Sequence, residues 1–222
     1  MSLHEIFDPV VKNHFEKKYS GGSSGDTEVL IKTMAEGEQF SLESKTATKI
    51  AAKAFEDTKI FRADFPAVTT IEQSAFSGCE FLTHINFPVV TEVCEQAFIR
   101  CNSLDEVILP MATTIRDNAF YNSYIEKVDL PMATSIGSRA FGMGHILRTV
   151  ILRTTSTVCA CATDSFYDTP ILEGRGNIYV PSSMYEYYRA AYEPALEAEG
   201  AVGLFDIVFR KIEDYPEICG VA

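Results

Sequence analysis

The stretch TTIEQSAFSGCEFLTHINFP (Thr69–Pro88) is followed, after two residues, by TEVCEQAFIRCNSLDEVILP (Thr91–Pro110). Aligned on Ala-Phe, the pair extends in both directions. TKIAAKAFEDTKIFRADFP begins at Thr48, TTIRDNAFYNSYIEKVDLP at Thr113 and TSIGSRAFGMGHILRTVILR at Thr134. Phe55, Phe76, Phe98, Phe120 and Phe141 are thus 21, 22, 22 and 21 residues apart. A fixed period of this length predicts one structural unit stacked on copies of itself. No unit can bury its apolar face alone, so the stack supplies the core.

The recurring columns say how a unit is built. Ile50, Ile71, Val93, Ile115 and Ile136 precede the phenylalanine by five residues. After it come Ile60, Leu82, Leu104, Ile125 and Leu147, then Ala63, Ile85, Val107, Val128 and Val150. Two residues further stand Phe65, Phe87, Leu109, Leu130 and Leu152. The last two columns alternate with polar residues, the period of a strand with one buried face. Such a strand runs about His84 to Phe87 in the second unit. Pro66, Pro88, Pro110 and Pro131 close four of these strands, where pairing stops. Thr48, Thr69, Thr91, Thr113 and Thr134 form a β-branched column whose hydroxyls can bond along the stack. The small residues Thr58, Cys79, Cys101, Ser123 and Gly144, three after each phenylalanine, predict a tight turn. In parallel register the coils step by about 4.8 Å.

The outward columns of the strand ladder are the candidate site. They are Arg62, His84, Glu106, Lys127 and Thr149, alternating with Asp64, Asn86, Ile108, Asp129 and Ile151. One reading is a solvated sheet face with opposite charges on neighbouring coils. The other is a shallow surface of mixed sign for a protein or glycan, with exposed Ile108 and Ile151 favouring protein.

Composition narrows the partners. The chain has 222 residues, 46% of them apolar, and a net charge of −12. An acidic surface is repelled by nucleic acid and anionic membranes. The opening residues carry no secretory leader pattern, and no apolar run is long enough to span a bilayer, so a soluble chain is expected. None of His4, His14, His84 and His145 stands in a metal-binding spacing. Cys159 and Cys161 pair on one side of an extended segment but lack two further spaced ligands. The remaining cysteines read as small buried thiols, and neither a cofactor nor catalysis is expected.

Ala-Phe-x-x-Cys, Leu-x-x-Val-x-Leu-Pro and Thr-x-Ile together resemble the BspA-type leucine-rich repeat over Thr46–Thr157. Two departures from the commoner leucine-rich pattern stand out. No asparagine follows the strand, and Ala-Phe takes the place of leucines. VILRTTSTVCACATDSF (Val150–Phe166) and GNIYVPSSMYEYYRAA (Gly176–Ala191) are similar to the closing module of gut-bacterial and prophage-encoded members. The resemblance implies a right-handed, curved leucine-rich-repeat solenoid, mostly β with short helical turns, a parallel strand ladder and an α+β C-terminal cap. It implies a non-enzymatic binding or adhesion module for a surface protein or glycan. The alternative is an accessory component of a larger particle such as a phage tail, located on a cell surface or virion.

Three segments follow: 1–25, 26–158 and 159–222. In the first, Asp8-Pro9 starts a helix striped by Val10, Val11, Phe15 and Tyr19, tethered by the flexible Ser20–Gly25. Residues 3–19 are expected either to dock, on this solenoid, a second copy or an assembly, or to fray. In the last, Phe166 lies 25 residues beyond Phe141, so Arg153–Asp164 reads as an insertion. A final strand, Asn177–Val180, ends at Pro181. Ser183 and Glu186 have capping-box spacing. Tyr185, Tyr188, Tyr192 and Leu196 form a helical stripe, expected to be core rather than a ligand shelf, and Gly200 ends the helix. Phe205, Ile207 and Phe209 alternate, which predicts a strand.

Overall fold

Every unit contributes one coil, and up to three separate ladders hold each coil to the next. A computed structural model describes residues 30–32, 40–45, 47–198 and 204–220, with the backbone alone at 30–32, 40 and 195–198. The N-terminal helix and its linker, Gly200 and the Leu196 side chain lie outside the described residues.

The strands are β1 (Leu30–Lys32), β2 (Phe40–Glu43), β3 (Lys49–Ile50), β4 (Ile60–Asp64), β5 (Thr70–Ile71), β6 (His84–Asn86), β7 (Glu92–Val93), β8 (Glu106–Ile108), β9 (Thr114–Ile115), β10 (Lys127–Asp129), β11 (Ser135–Ile136), β12 (Thr149–Ile151), β13 (Ala160–Cys161), β14 (Asn177–Val180) and β15 (Phe209–Lys211). From β4 onward the even-numbered strands form the main ladder, parallel and in register, Lys127 opposite Glu106 and Thr149. The odd-numbered strands β3 to β13 form a second, unbroken parallel ladder. The threonine column reinforces it: Thr69, Thr91, Thr113 and Thr134 donate their hydroxyls to Thr48, Thr69, Thr91 and Thr113 carbonyls at 3.1–3.2 Å.

The third ladder lies in the turns around the phenylalanines. Phe55, Phe76, Phe98 and Phe120 N–H groups donate to Ala75, Ala97, Ala119 and Ala140 carbonyls of the next coil at 2.7–2.8 Å. The residues two before and two after the phenylalanine take positive φ: Lys53 and Asp57, Ser74 and Gly78, Gln96 and Arg100, Asn118 and Asn122, Arg139 and Met143. Only one of these ten is glycine, although each other residue loses about 1–2 kcal/mol there. The conformation persists because it aims alternate N–H groups at the neighbouring coil: Gln96 at Asp117, Phe98 at Ala119, Arg100 at Tyr121.

Inside, the five rings stack. Phe76–Phe98, Phe98–Phe120 and Phe120–Phe141 centroids lie 5.0, 5.0 and 5.2 Å apart with planes within 5°. Phe166 joins as a sixth ring, 5.8 Å from Phe141. The extra residues therefore do not end the stack: β13 pairs with β11, Cys161 taking the place of the isoleucine column opposite Ile136. The small residues have a further duty. Cys79 Sγ, Cys101 Sγ and Ser123 Oγ donate to Phe55, Phe76 and Phe98 carbonyls of the preceding coil at 3.0, 3.3 and 2.8 Å.

The main ladder divides between β6 and β8, giving sheets β1-β2-β4-β6 and β8-β10-β12-β14-β15. The division falls where the inward column changes from Phe65 and Phe87 to leucine. There the Phe87 ring meets Phe98 edge-on at 6.2 Å, and the next coil carries Leu109 in the same column.

The C-terminal module packs on the last coil through helices α1 (Tyr185–Ala198), α2 (Leu204–Val208) and α3 (Pro216–Cys219). Two expectations are corrected here. Leu204–Val208 is helical and only Phe209–Lys211 is strand. Phe205 and Phe209 are spaced four apart and stack at 4.4 Å, both buried, while Ile207 is exposed. The Ser183–Glu186 capping box does not form, because Ser182–Met184 is a 3₁₀ turn. The orphan N–H and the hydroxyl of Ser182 instead meet the Glu213 carboxylate at 2.9 and 2.7 Å.

Candidate functional site: the ladder face

Strand alternation brings the predicted columns onto one face. Arg62, His84, Glu106 and Ile108 are exposed, and Asp64, Asn86, Lys127, Asp129 and Thr149 are half-buried. Ile151 is the correction: it is fully buried. The chain itself covers it. Ile151, Tyr179, Ile212 and Cys219 form a small apolar cluster, with Tyr215 packed alongside, separate from the main core.

The polar groups on the open part are largely mutually engaged. Asn86 Nδ2 donates to Asp64 Oδ1 at 2.7 Å, and Arg62 lies 3.7 Å from the same carboxylate. Lys127 Nζ pairs with Glu106 Oε1 at 2.9 Å. Exposed pairs of this kind contribute at most about 1 kcal/mol, so they can exchange partners at low cost. Ile108 stands among them with 47% of its surface exposed. At the covered end Arg153 grips Asp129 bidentately at 3.1 and 2.6 Å and also donates to the Cys219 carbonyl. The Asp129 carboxylate pushes the Arg153 guanidinium above its ordinary pKa.

Sequence columns stopped one coil early. Asn177 and Tyr179 continue them, opposite Thr149 and Ile151. The alternation Asn177-Ile178-Tyr179 carried that signal. Arg153 lay outside the alternation and could not be placed.

Away from this face, the cysteine pair sits at the seam between stack and module. Cys159 N–H donates to Tyr188 Oη at 3.0 Å and Cys161 N–H to Tyr192 Oη at 2.7 Å, while Tyr192 donates to the Cys159 carbonyl. The neighbouring Cys161 and burial push the Cys159 thiol up. Tyr188 is buried and Tyr192 half-buried, so this part of the tyrosine stripe is packing. An apolar cavity of about 80 Å³ adjoins it, lined by Leu152, Cys161, Phe166, Ile178, Tyr192 and Phe209 among others. Among the described residues no three His, Cys, Asp or Glu side chains are grouped as metal ligands. Nor is any described helix long and apolar enough to cross a membrane.

A parallel stack of 21- to 22-residue coils with one short strand per coil on a common face defines a leucine-rich-repeat solenoid. The model of the BspA-type leucine-rich repeat region matches residues 36–123 and 113–194 in six copies, and the chain belongs to that family. Repeats of this kind generally act as non-catalytic interaction scaffolds. The fold is similar to that of a crystallised leucine-rich repeat protein from Bacteroides ovatus, with 17% identity and a TM-score of 0.50. The match covers 72% of this chain and 55% of that one, so this chain spans about half its length. No curated protein matches the chain in sequence.

Proposed function

We propose that the protein is a non-enzymatic adhesion module that holds a protein or glycan at a cell surface through its open ladder face, from Arg62 and Asp64 to Lys127. The observation that carries this reading is Ile108. A large apolar side chain stands nearly half exposed amid charged and amide groups whose present partners are other surface groups. A ligand that covers Ile108 gains about 25 cal/mol per Å² of apolar surface removed from water. It also meets flanking donors and acceptors of both signs.

The test is binding to a glycan array and to a panel of immobilised extracellular-matrix proteins. Ile108→Asp should reduce binding at least tenfold while the melting temperature stays unchanged, since the side chain is not part of the core. Reversing the ion pair with Glu106→Lys and Lys127→Glu should alter which ligands are held. Binding indifferent to all three substitutions would remove this face from consideration.

A further inference from the structure

The ladder face already has a peptide on it. Beyond β15 the chain turns back over the outward columns, and Ile212 and Cys219 bury Ile151 and Tyr179. The Tyr215 ring meets Tyr179 edge-on at 5.4 Å. Arg153, held by Asp129, donates to the Cys219 carbonyl, so a main-chain acceptor is read as well as apolar side chains. Asp214 and Glu217 stay exposed on the outer side of this segment, while the Glu213 carboxylate accepts from Ser182.

Two features set this contact apart from ordinary core. Its apolar cluster is separate from the one that runs through the stack, so the segment can leave without opening the main interior. And the surface beneath it continues a column that is accessible on the earlier coils: Ile151 and Tyr179 follow Ile108 and Asp129 in register.

We infer that the surface formed by Ile151, Tyr179 and Arg153 is a peptide-binding site occupied in cis by Ile212–Cys219. A protein partner binds there by displacing that segment with a turn of like chemistry: an aliphatic residue, an aromatic ring, an acidic outer side and a carbonyl offered to Arg153. The inference rests on the reading of the ladder face as a binding surface and makes its ligand a protein rather than a glycan.

The experiment uses the full chain and the fluorescein-labelled peptide KIEDYPEICG (Lys211–Gly220), under reducing conditions, with binding read by fluorescence anisotropy. Ile212→Asp should disengage the tethered segment. The variant should then bind the peptide at least tenfold more tightly than the unsubstituted protein. Arg153→Ala added to Ile212→Asp should reverse that gain. Amide exchange at Phe98 and Phe120 reports whether the stack is intact. An Ile212→Asp chain with a protected stack and no gain in peptide binding would overturn the inference. So would loss of stack protection, because the segment would then be part of the common core. Peptide binding that survives alongside array binding insensitive to Ile108→Asp would sink the proposed adhesion surface and leave the cis-occupied site standing. The reverse pattern would do the opposite.

Discussion

The repeat stack and the C-terminal module are built on opposite economies of contact. In the stack the same contacts recur from coil to coil. Among the described residues five ring-on-ring steps, four threonine hydroxyls on the carbonyl a coil away and three small donors repeat one geometry. In the module every important contact occurs once and joins distant residues: Glu213 to Ser182, Tyr188 to Cys159, Arg153 to Cys219. Repetition makes a physical demand visible as a column. A single long-range contact leaves no such trace, so the two regions differ in how they break and in how far a sequence discloses them.

The sharpest break is expected at the middle of the stack. Phe98 is fully buried with a ring on either side at 5.0 Å. Phe98→Ala should lower unfolding free energy by about 3–5 kcal/mol, through lost transfer energy and a cavity. Phe166 has a stacked neighbour on one side only, at 5.8 Å. Phe166→Ala should cost distinctly less in the same denaturant titration, and equal losses would contradict the one-dimensional picture of the stack.

In the module the corresponding test removes one atom. Tyr188 is buried and its hydroxyl is the acceptor for the Cys159 N–H. Tyr188→Phe keeps the ring and leaves that donor unsatisfied, which should cost about 1–3 kcal/mol. Protection lost first at Cys159 and Cys161 by hydrogen exchange would place the damage at the seam.

Smaller again are the left-handed turn positions. Arg100 has φ of 60°. Arg100→Val should destabilise by about 1–2 kcal/mol, since a β-branched residue is poorly tolerated there. Arg100→Gly should be neutral or slightly stabilising. A valine as well tolerated as glycine would mean that the turn ladder does not impose this backbone.

These cases also show what the sequence could disclose. The coil, its register and its ring column were legible because Ala-Phe, Thr-x-Ile and the strand alternation recur. The left-handed residues were not, because Lys53, Gln96, Asn118 and Arg139 share nothing but a position. Their conformation is imposed by the neighbouring coil and not by local preference. Phe205-Ile207-Phe209 read as a strand because alternate apolar residues fit period two. The burial of Phe205, Val208 and Phe209 fits a helical turn instead, with Ile207 left outside. The site was half legible for the same reason. Nine of the ten outward residues remain at least partly accessible, and Ile151 is lost to a segment 61 to 68 residues away whose fold back over the face no periodicity announces.

The faintest expected effect separates the regions by pH. Glu213 is pushed up by burial, but the Ser182 hydroxyl and N–H outweigh that and hold its carboxyl below the ordinary glutamate range. Its folded pKa is therefore depressed. The stabilisation is present above the unfolded value of 4.5 and disappears as pH falls through the folded one. Glu72 in the stack is also lowered, chiefly by its hydrogen bond to Lys49. Both should protonate on acidification, yet with different consequences. Freed Glu213 releases the only carboxylate bound to Ser182 among the described residues, so exchange of amides 212–219, corrected for intrinsic rate, should accelerate several-fold as pH drops from about 5 to about 3. Coils around Glu72 should show no such opening, because the threonine and phenylalanine ladders on either side persist. Glu213→Gln should flatten the pH response of the segment. A response that survives this substitution would assign the effect to other carboxylates.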